Sequence, residues 1–436
     1  MHHRVFSASE LFCTTSVEWK LNRRLSARGA ILKQRRLAMA LTTPESDLKL
    51  KPIEAKVGPA QLIELASIAD DMLALVRDSM LKPHPRKNPP EYTTTQLATL
   101  CGIDRARINY LIGKGDLPPG VAQGAGRGRV FTLAETRQWV QAESKIKKRP
   151  EGKRGRIVVV SNFKGGSTKT TTAMSLAQGL TLRGRKVLIV DLDPQASLSS
   201  LCGLLPSAEV DSDATVMPLI FGDQKDLRYA IQPTYWDGLD LIPGAPTLFS
   251  AEFVIPHKVA EKPGFEFWNI LAPALQDLAA DYDIIVLDTP PSLSYLTINA
   301  LMGADGMLMP LPPKSLDFAS AAQYWSLFSD LASSFEKRNF VKEFDFVNIL
   351  LSAVNAQEAS ASVVREWIVS TYTAKVLPVE IPFSSVIGTT ATGFGTVYDV
   401  SKWEGGAKTY SRIRDAYDQV VEIIDNKIVK AWYEGA

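Results

Sequence analysis

The stretch Val158-Val159-Val160-Ser161-Asn162-Phe163-Lys164-Gly165-Gly166-Ser167-Thr168-Lys169-Thr170-Thr171-Thr172 constrains this chain more than any other. A β-branched run ends in a polar turn with paired glycines, and Lys-Thr then opens Ala173-Met174-Ser175-Leu176-Ala177-Gln178-Gly179-Leu180 at helical spacing. That pattern predicts strand, loop, helix. Gly165 and Gly166 allow the positive φ that turns backbone amides inward, and the N-terminus of the following helix adds its dipole and unpaired N–H groups. Such a loop is built for a phosphate. Lys169 is expected to reach the β- and γ-phosphates of a nucleotide, and the Thr170 hydroxyl to ligate Mg2+. The bland alternative is a glycine turn flanked by solvated lysines.

The ordinary Walker A pattern places glycine where Phe163 and Thr168 stand, so the strict pattern fails here. What fits is a deviant form, Lys-Gly-Gly-x-x-Lys-Thr, with an extra lysine at Lys164, and in that form the loop resembles the ParA/MinD family of deviant Walker ATPases. The resemblance implies that Lys164 crosses a dimer interface to touch the partner's nucleotide, making ATP the glue of a sandwich homodimer. The expected nucleotide-binding set is therefore Lys164, Gly165, Gly166, Ser167, Thr168, Lys169, Thr170 and Thr171, with ATP or ADP and Mg2+ as cofactors.

At 436 residues the chain has room for a large core and at least one smaller domain, and 45% hydrophobic with 22% charged residues is the balance of a soluble globular protein. A formal net charge of +2 means that any DNA affinity must come from local patches. Cys13, Cys101 and Cys202 lie far apart without metal-ligand spacing, which argues against zinc, an iron–sulfur cluster or a disulfide framework. No apolar run approaches a membrane span, so a cytoplasmic protein is expected.

Residues 1–58 read as a disordered extension. The part before Met39 is Arg-rich and acid-poor, and Met39 itself reads as a start. Over 59–82 the residues Leu62, Leu65, Ala69, Met72, Val76 and Met80 recur at helical steps, an apolar stripe that either its own chain or a second copy must cover. Residues 91–143 predict a helix from about Thr95, a turn at Gly102, a cap at Asp104 and a second helix, with Ala98, Ile103, Ile108 and Leu111 buried. Arg105, Arg107 and Asn109 then face outward, suited to phosphates and base edges, and Arg127 and Arg129 lie on a basic wing. The whole resembles a winged helix-turn-helix of MerR-like type, although units of this shape also dock proteins. Residues 144–155 form a basic linker to an ATPase domain over 156–436.

Within that domain, Val187-Leu188-Ile189-Val190-Asp191-Leu192-Asp193-Pro194-Gln195 is an apolar strand delivering two carboxylates at its C-terminal end, where open α/β sheets put their chemistry. It matches the family's Asp-x-Asp-Pro-Gln motif. The resemblance implies that Asp193 orients or deprotonates the attacking water, Asp191 supports the Mg2+ shell, and Gln195 belongs to a switch sensing the γ-phosphate. Tyr282-Asp283-Ile284-Ile285-Val286-Leu287-Asp288 repeats the logic, with Asp288 as a Walker B carboxylate for Mg2+. Further apolar runs at 239–243, 306–311, 347–351 and 376–379 complete the expected fold, a doubly wound, mainly parallel α/β sheet of deviant Walker P-loop NTPase type with an N-terminal winged helix-turn-helix.

The order of parts resembles plasmid-type ParA proteins, and the resemblance covers most of the chain after about residue 59. It implies an ATPase for plasmid or secondary-chromosome partition, with Lys164, Lys169 and Asp193 as catalytic residues and Thr170, Asp191 and Asp288 at the metal. It further implies a ParB-type centromere-binding activator, non-specific binding of nucleoid DNA by the ATP dimer, and repression of its own operon through specific operator DNA. Lys402, Lys408, Arg412 and Arg414 are the candidates for the non-specific DNA face, ordinary surface charge being the alternative. The acidic residues of the C-terminal helix disfavour a membrane role. The rival function is a nucleotide-sensing repressor without turnover; an electron carrier on the same fold is disfavoured for want of cluster cysteines.

Overall fold

The computed structural model describes residues 57–81, 87–124, 128–355, 357–384, 395–400 and 407–434. Most of the expected extension, Met39, Arg127 and Lys402 lie outside the described residues. Two compact units divide the chain, residues 1–67 and 68–436. Helix α1 (Pro59–Leu81) begins in the first, where Leu62 and Leu65 of the expected stripe are exposed. In the second, Met72 and Val76 are half-buried, and Asp70 and Arg77 meet Ser207 and Glu209.

A small unit follows: β1 (Tyr92–Thr93), α2 (Thr94–Cys101), α3 (Arg105–Lys114), β2 (Val121–Ala122), β3 (Arg129–Phe131) and α4 (Leu133–Glu143), with strand order β1-β3-β2. Its local grammar is explicit. Thr93 and Gln96 form a capping box at α2, Gly102 ends that helix at φ 66°, and the Asp104 carboxylate caps α3 by accepting from Arg107 N–H. Leu97, Cys101, Ile108, Leu111, Phe131, Trp139 and Val140 make its core, whereas Ala98 and Ile103 sit at the edge. Helical spacing marked the buried face of α3 at Ile108 and Leu111 but was one position off for α2, where Leu97 is buried in place of Ala98.

The large unit is built on eight strands: β4 (Arg156–Val160), β5 (Val187–Asp191), β6 (Gln232–Pro233), β7 (Leu239–Ile242), β8 (Ile284–Asp288), β9 (Gly306–Leu311), β10 (Phe346–Val354) and β11 (Val376–Pro382). Their order is β11-β10-β9-β4-β8-β5-β7-β6, and every neighbouring pair is parallel except β6 with β7. Alternate residues point to opposite faces, so each strand must be apolar throughout. Ile157, Val159, Leu188, Val190, Ile285 and Leu287 face one core, which α7 (Ala251–Glu261), α8 (Tyr295–Gly303), α9 (Ser315–Glu336) and α10 (Ala359–Tyr372) help to cover. Val158, Val160, Val187, Ile189, Ile284 and Val286 face the other, under α5 (Lys169–Leu182) and the C-terminal helix α11 (Ala407–Glu434). A further short helix, α6 (Ser197–Leu201), follows β5.

Helix α11 buries Ile413, Tyr417, Val420, Val421, Ile424, Ile428 and Trp432 along one stripe, each worth about 1.5–3 kcal/mol when removed from water. Val421 crosses α5 at Gly179, where a Cβ would stand 2.4 Å from the Val421 methyl. Asp425 lies within the buried stripe, and Arg183 and Arg185 neutralise it at 2.8 Å each.

Two sets of arginines fasten the small unit to the large one. Arg137, on α4, is 8% exposed; it donates to Thr181 O at 3.1 Å and Arg185 O at 3.0 Å and pairs with Asp237. Arg149 in the 144–155 segment pairs with Asp283 at 3.1 Å and donates to Ala279 O and Ala280 O, and Arg154 holds both oxygens of Asp305.

Candidate nucleotide site

Strand β4 ends at Val160, and the residues that leave it are tied down at once. Thr289 donates its hydroxyl to Val160 O, Asn162 donates to Pro310 O at 2.7 Å, and Lys164 N–H returns to the Asn162 side chain at 3.1 Å. Phe163, which stands where the ordinary motif has glycine, packs its ring edge-on against Tyr324 of α9, 4.4 Å between centroids. Gly166 turns with φ 74°, and Thr168 follows at φ 66°, ψ 17°, a left-handed conformation that L-residues adopt under strain. Ser352 of β10 braces the loop by donating to Ser167 O.

Lys169 opens α5 almost completely buried, its ammonium donating to Lys164 O at 3.1 Å. Burial lowers its proton affinity, against the attraction of Asp288 and Asp193. Thr170 and Thr171 are half-buried beside it, Ser167 is buried, and Gly165 and Gly166 are exposed. Lys164 is half-buried, and its charge opposes the burial that raises the Asp317 carboxyl.

Parallel pairing of β5 with β8 makes Asp191 and Asp288 direct register partners. Two fully buried carboxylates thus lie side by side. Asp191 is satisfied, accepting from Ser199 N–H at 2.8 Å, Ser199 Oγ at 2.7 Å and Asp193 N–H at 3.2 Å. Burial still pushes it up to about 7, the Ser199 hydrogen bonds opposing. Asp288 differs. Both its oxygens are buried without a formed hydrogen bond; the Thr170 hydroxyl lies near enough only to ease the charge, and burial followed by the charge of Asp191 drives its carboxyl well above the ordinary range. Asp193 is 8% exposed and accepts from Gln195 N–H at 2.9 Å, while the Gln195 side chain is exposed.

A buried carboxylate with both oxygens unpartnered, beside a second buried carboxylate and a buried ammonium, fits a cation and its anionic ligand. Among the described residues no group of three or more His, Cys, Asp or Glu could hold a metal; Mg2+ commonly takes one or two carboxylates together with phosphate oxygens and water. An open groove of about 1010 Å³ lies between the ends of β10 and β11 and the start of α11, lined by Asn355, Pro382, Phe383 and Arg412 among others. Ser199 and this groove escaped sequence reasoning, because one acts across a turn and the other joins segments far apart in the chain.

The residues expected to meet DNA have varied surroundings. Asn109 is exposed, as are Lys408 and Arg412 on α11. Arg105 donates to Thr95 Oγ1, and Arg107 pairs with Glu143 at 3.1 Å. Arg129 is spent on Pro119 O and Gly120 O, which closes the β2–β3 hairpin. Arg414 is turned inward against expectation: it lies over the Tyr398 ring at 4.0 Å and pairs with Asp418 at 3.2 Å, so its charge is not offered to a surface. No helix among the described residues is long and apolar enough to cross a membrane.

The AAA domain family matches residues 155–340. "Putative replication protein A" of Sinorhizobium fredii (strain NBRC 101917 / NGR234) is 28% identical over 395 residues, spanning 86% of this chain and 97% of that protein. Protein SopA of Escherichia coli (strain K12) is 31% identical over 285 residues, 64% of this chain and 73% of SopA. A solved "Partition Protein" shares the fold with a TM-score of 0.60 at 19% identity, over 85% of this chain and 98% of that one.

Proposed function

The chain belongs to the ParA family of plasmid-partition ATPases, and from that premise we propose that it hydrolyses ATP to ADP and phosphate in a Mg2+-dependent cycle that moves or positions a replicon. The observation that carries this reading is Asp288, buried with both oxygens unpartnered beside Asp191 and within the field of Lys169. Thr170, Asp288 and Asp191 are the residues to hold Mg2+, directly or through water. Bound there, the ion supplies positive charge to the β,γ-phosphate oxygens.

The chain's own groups do the rest. Amides of Gly165 to Thr171 cradle the phosphates, Lys169 leaves Lys164 O for the β- and γ-oxygens, and Asp193 orients the water in line with the β–γ bond. Lys164 reaches the nucleotide of a second copy, so that ATP favours a homodimer. Gln195, exposed beyond Asp193, reads the γ-phosphate.

Residues 91–143 act as a winged helix-turn-helix that presents Arg105, Arg107 and Asn109 of α3 to operator DNA in the ADP state, with Arg127 and Arg129 as the wing's basic residues. The ATP dimer binds nucleoid DNA without sequence preference, for which exposed Lys408 and Arg412 are candidates together with Lys402, and a ParB-type partner stimulates turnover. This places the protein in the cytoplasm on the nucleoid. Replacing Arg105 and Arg107 by Ala without loss of operator binding would reject the operator reading.

The test of the catalytic reading is steady-state ATP hydrolysis by the purified full chain, alone and with non-specific DNA plus the product of the adjacent partition gene. Low basal turnover raised by both additions is expected, abolished in Lys169→Ala and in Asp193→Ala, with ATP binding retained in the latter. Tight ATP binding without turnover under any combination would leave a nucleotide-sensing repressor in its place.

A further inference from the structure

Asp191 is held from one side by a helix of five residues, α6. Ser199, fully buried on that helix, donates twice to Asp191 Oδ2, and its hydroxyl is fixed in turn by accepting from Gly244 N–H at 2.9 Å. The chain enters α6 through Ala196 at φ 52°, a non-glycine residue in the left-handed region. So short a helix does not hold its own place, and its position depends on what its ends are tied to.

The far end is tied to a residue more than a hundred positions upstream. Leu201 O, the last carbonyl of α6, accepts from Lys87 Nζ at 2.9 Å. The same ammonium pairs with Asp399 at 2.9 Å, with the two side chains only 11% and 10% exposed, and it lies 4.4 Å from the Tyr235 ring centroid. Asp399 also accepts from Gln178, which is buried on α5, and from the Tyr235 hydroxyl. Lys87 stands just ahead of Tyr92, the first residue of β1. Charge-assisted hydrogen bonds at Ser199 and at Leu201 O thus link Asp191, through the backbone of α6, to the segment that leads into the 92–143 unit.

We propose that Lys87 is a positioning residue of the nucleotide site. By fixing the C-terminal end of α6 it sets where Ser199 holds Asp191, and so which way the remaining Asp191 oxygen faces the cation. Partners one shell out from a metal-supporting carboxylate orient it and weigh on metal affinity. The proposal rests on the Mg2+–nucleotide reading above. It makes the approach to the 92–143 unit part of the site, and linkage then requires bound Mg2+–nucleotide to steady Lys87 in return.

The experiment titrates the full-length protein with a fluorescent ATP analogue, in excess Mg2+ and in EDTA, for wild type, Lys87→Met and Lys87→Arg. Lys87→Met is expected to weaken binding in Mg2+ by about tenfold while leaving binding in EDTA unchanged, and Lys87→Arg to recover most of the loss. Hydrogen exchange at the Ser200 and Cys202 amides should quicken in Lys87→Met. Equal losses with and without Mg2+, or no loss, would overturn the proposal, since a merely structural lysine moves both affinities or neither. Should Lys87→Met fail to fold, Asp399→Asn removes the counter-ion and is expected to give the same split at smaller size; indistinguishable Mg2+ binding by that variant overturns the proposal equally. Wild type that binds no nucleotide in either buffer would sink the nucleotide reading itself, and this inference with it.

Discussion

Thr168 offers a test in which the sign alone decides. A β-branched residue held at φ 66°, ψ 17° is strained by about 1–2 kcal/mol. Glycine relieves that strain but adds unfolded-chain freedom worth about 0.5–1 kcal/mol. The Thr168 hydroxyl contact with Thr172, at 3.5 Å, adds little and is lost equally in glycine and alanine variants. Comparing Thr168→Gly with Thr168→Ala therefore isolates the backbone term, and glycine should be the more stable by about 0.5–1 kcal/mol. At an ordinary helical position the order is reversed by a similar amount. Urea unfolding of the nucleotide-free proteins, with equal m-values, measures the difference as a shift in midpoint. An alanine variant as stable as the glycine variant, or more so, would mean that the residue before α5 is not held in the left-handed region.

Arg137→Met removes the guanidinium that reaches Thr181 O, Arg185 O and Asp237, and should cost about 2–4 kcal/mol. The readout is an earlier, separate unfolding transition of residues 92–143 in denaturant; one unchanged cooperative transition would contradict the fastening role. For Asp191, a folded value near 7 lies above the ordinary carboxylate range, so its contribution to stability is complete at low pH and lost as pH rises through 7. Melting of the nucleotide-free wild type should accordingly fall more than melting of Asp191→Asn between about pH 4, the ordinary carboxylate value, and about pH 7, and the two profiles should run parallel above it. Parallel profiles across that window as well would refute the assignment.

What could be read from the chain alone was what is local. Val158 to Thr172 carries strand, turn and helix in consecutive residues, and the continuous apolar runs ending at Asp191 and Asp288 require strands buried on both faces. That the two carboxylates are register neighbours is a property of strand order, which no periodicity contains. Arg414 looked outward because helical spacing cannot show that Tyr398 arrives from another segment to lie beneath it. Nothing in the sequence marks Arg137, whose partners lie at the far end of α5. Lys87 had no signal at all, being a lone lysine among prolines.

If the small unit reads operator DNA as proposed, the arginines of the 144–155 segment bear on how the protein would measure a length of duplex. Arg149 and Arg154 weld this stretch to Asp283 and Asp305 at the N-terminal ends of the interior strands β8 and β9, so it has no slack to pay out. A tethered reading head tolerates half-sites over a range of separations, because its linker samples many spans. A welded one transfers the geometry of the ATPase body to the duplex. Two copies reading a duplex through α3 would then accept one half-site spacing and its helical-turn repeats, and inserting half a turn between half-sites would abolish binding instead of weakening it gradually.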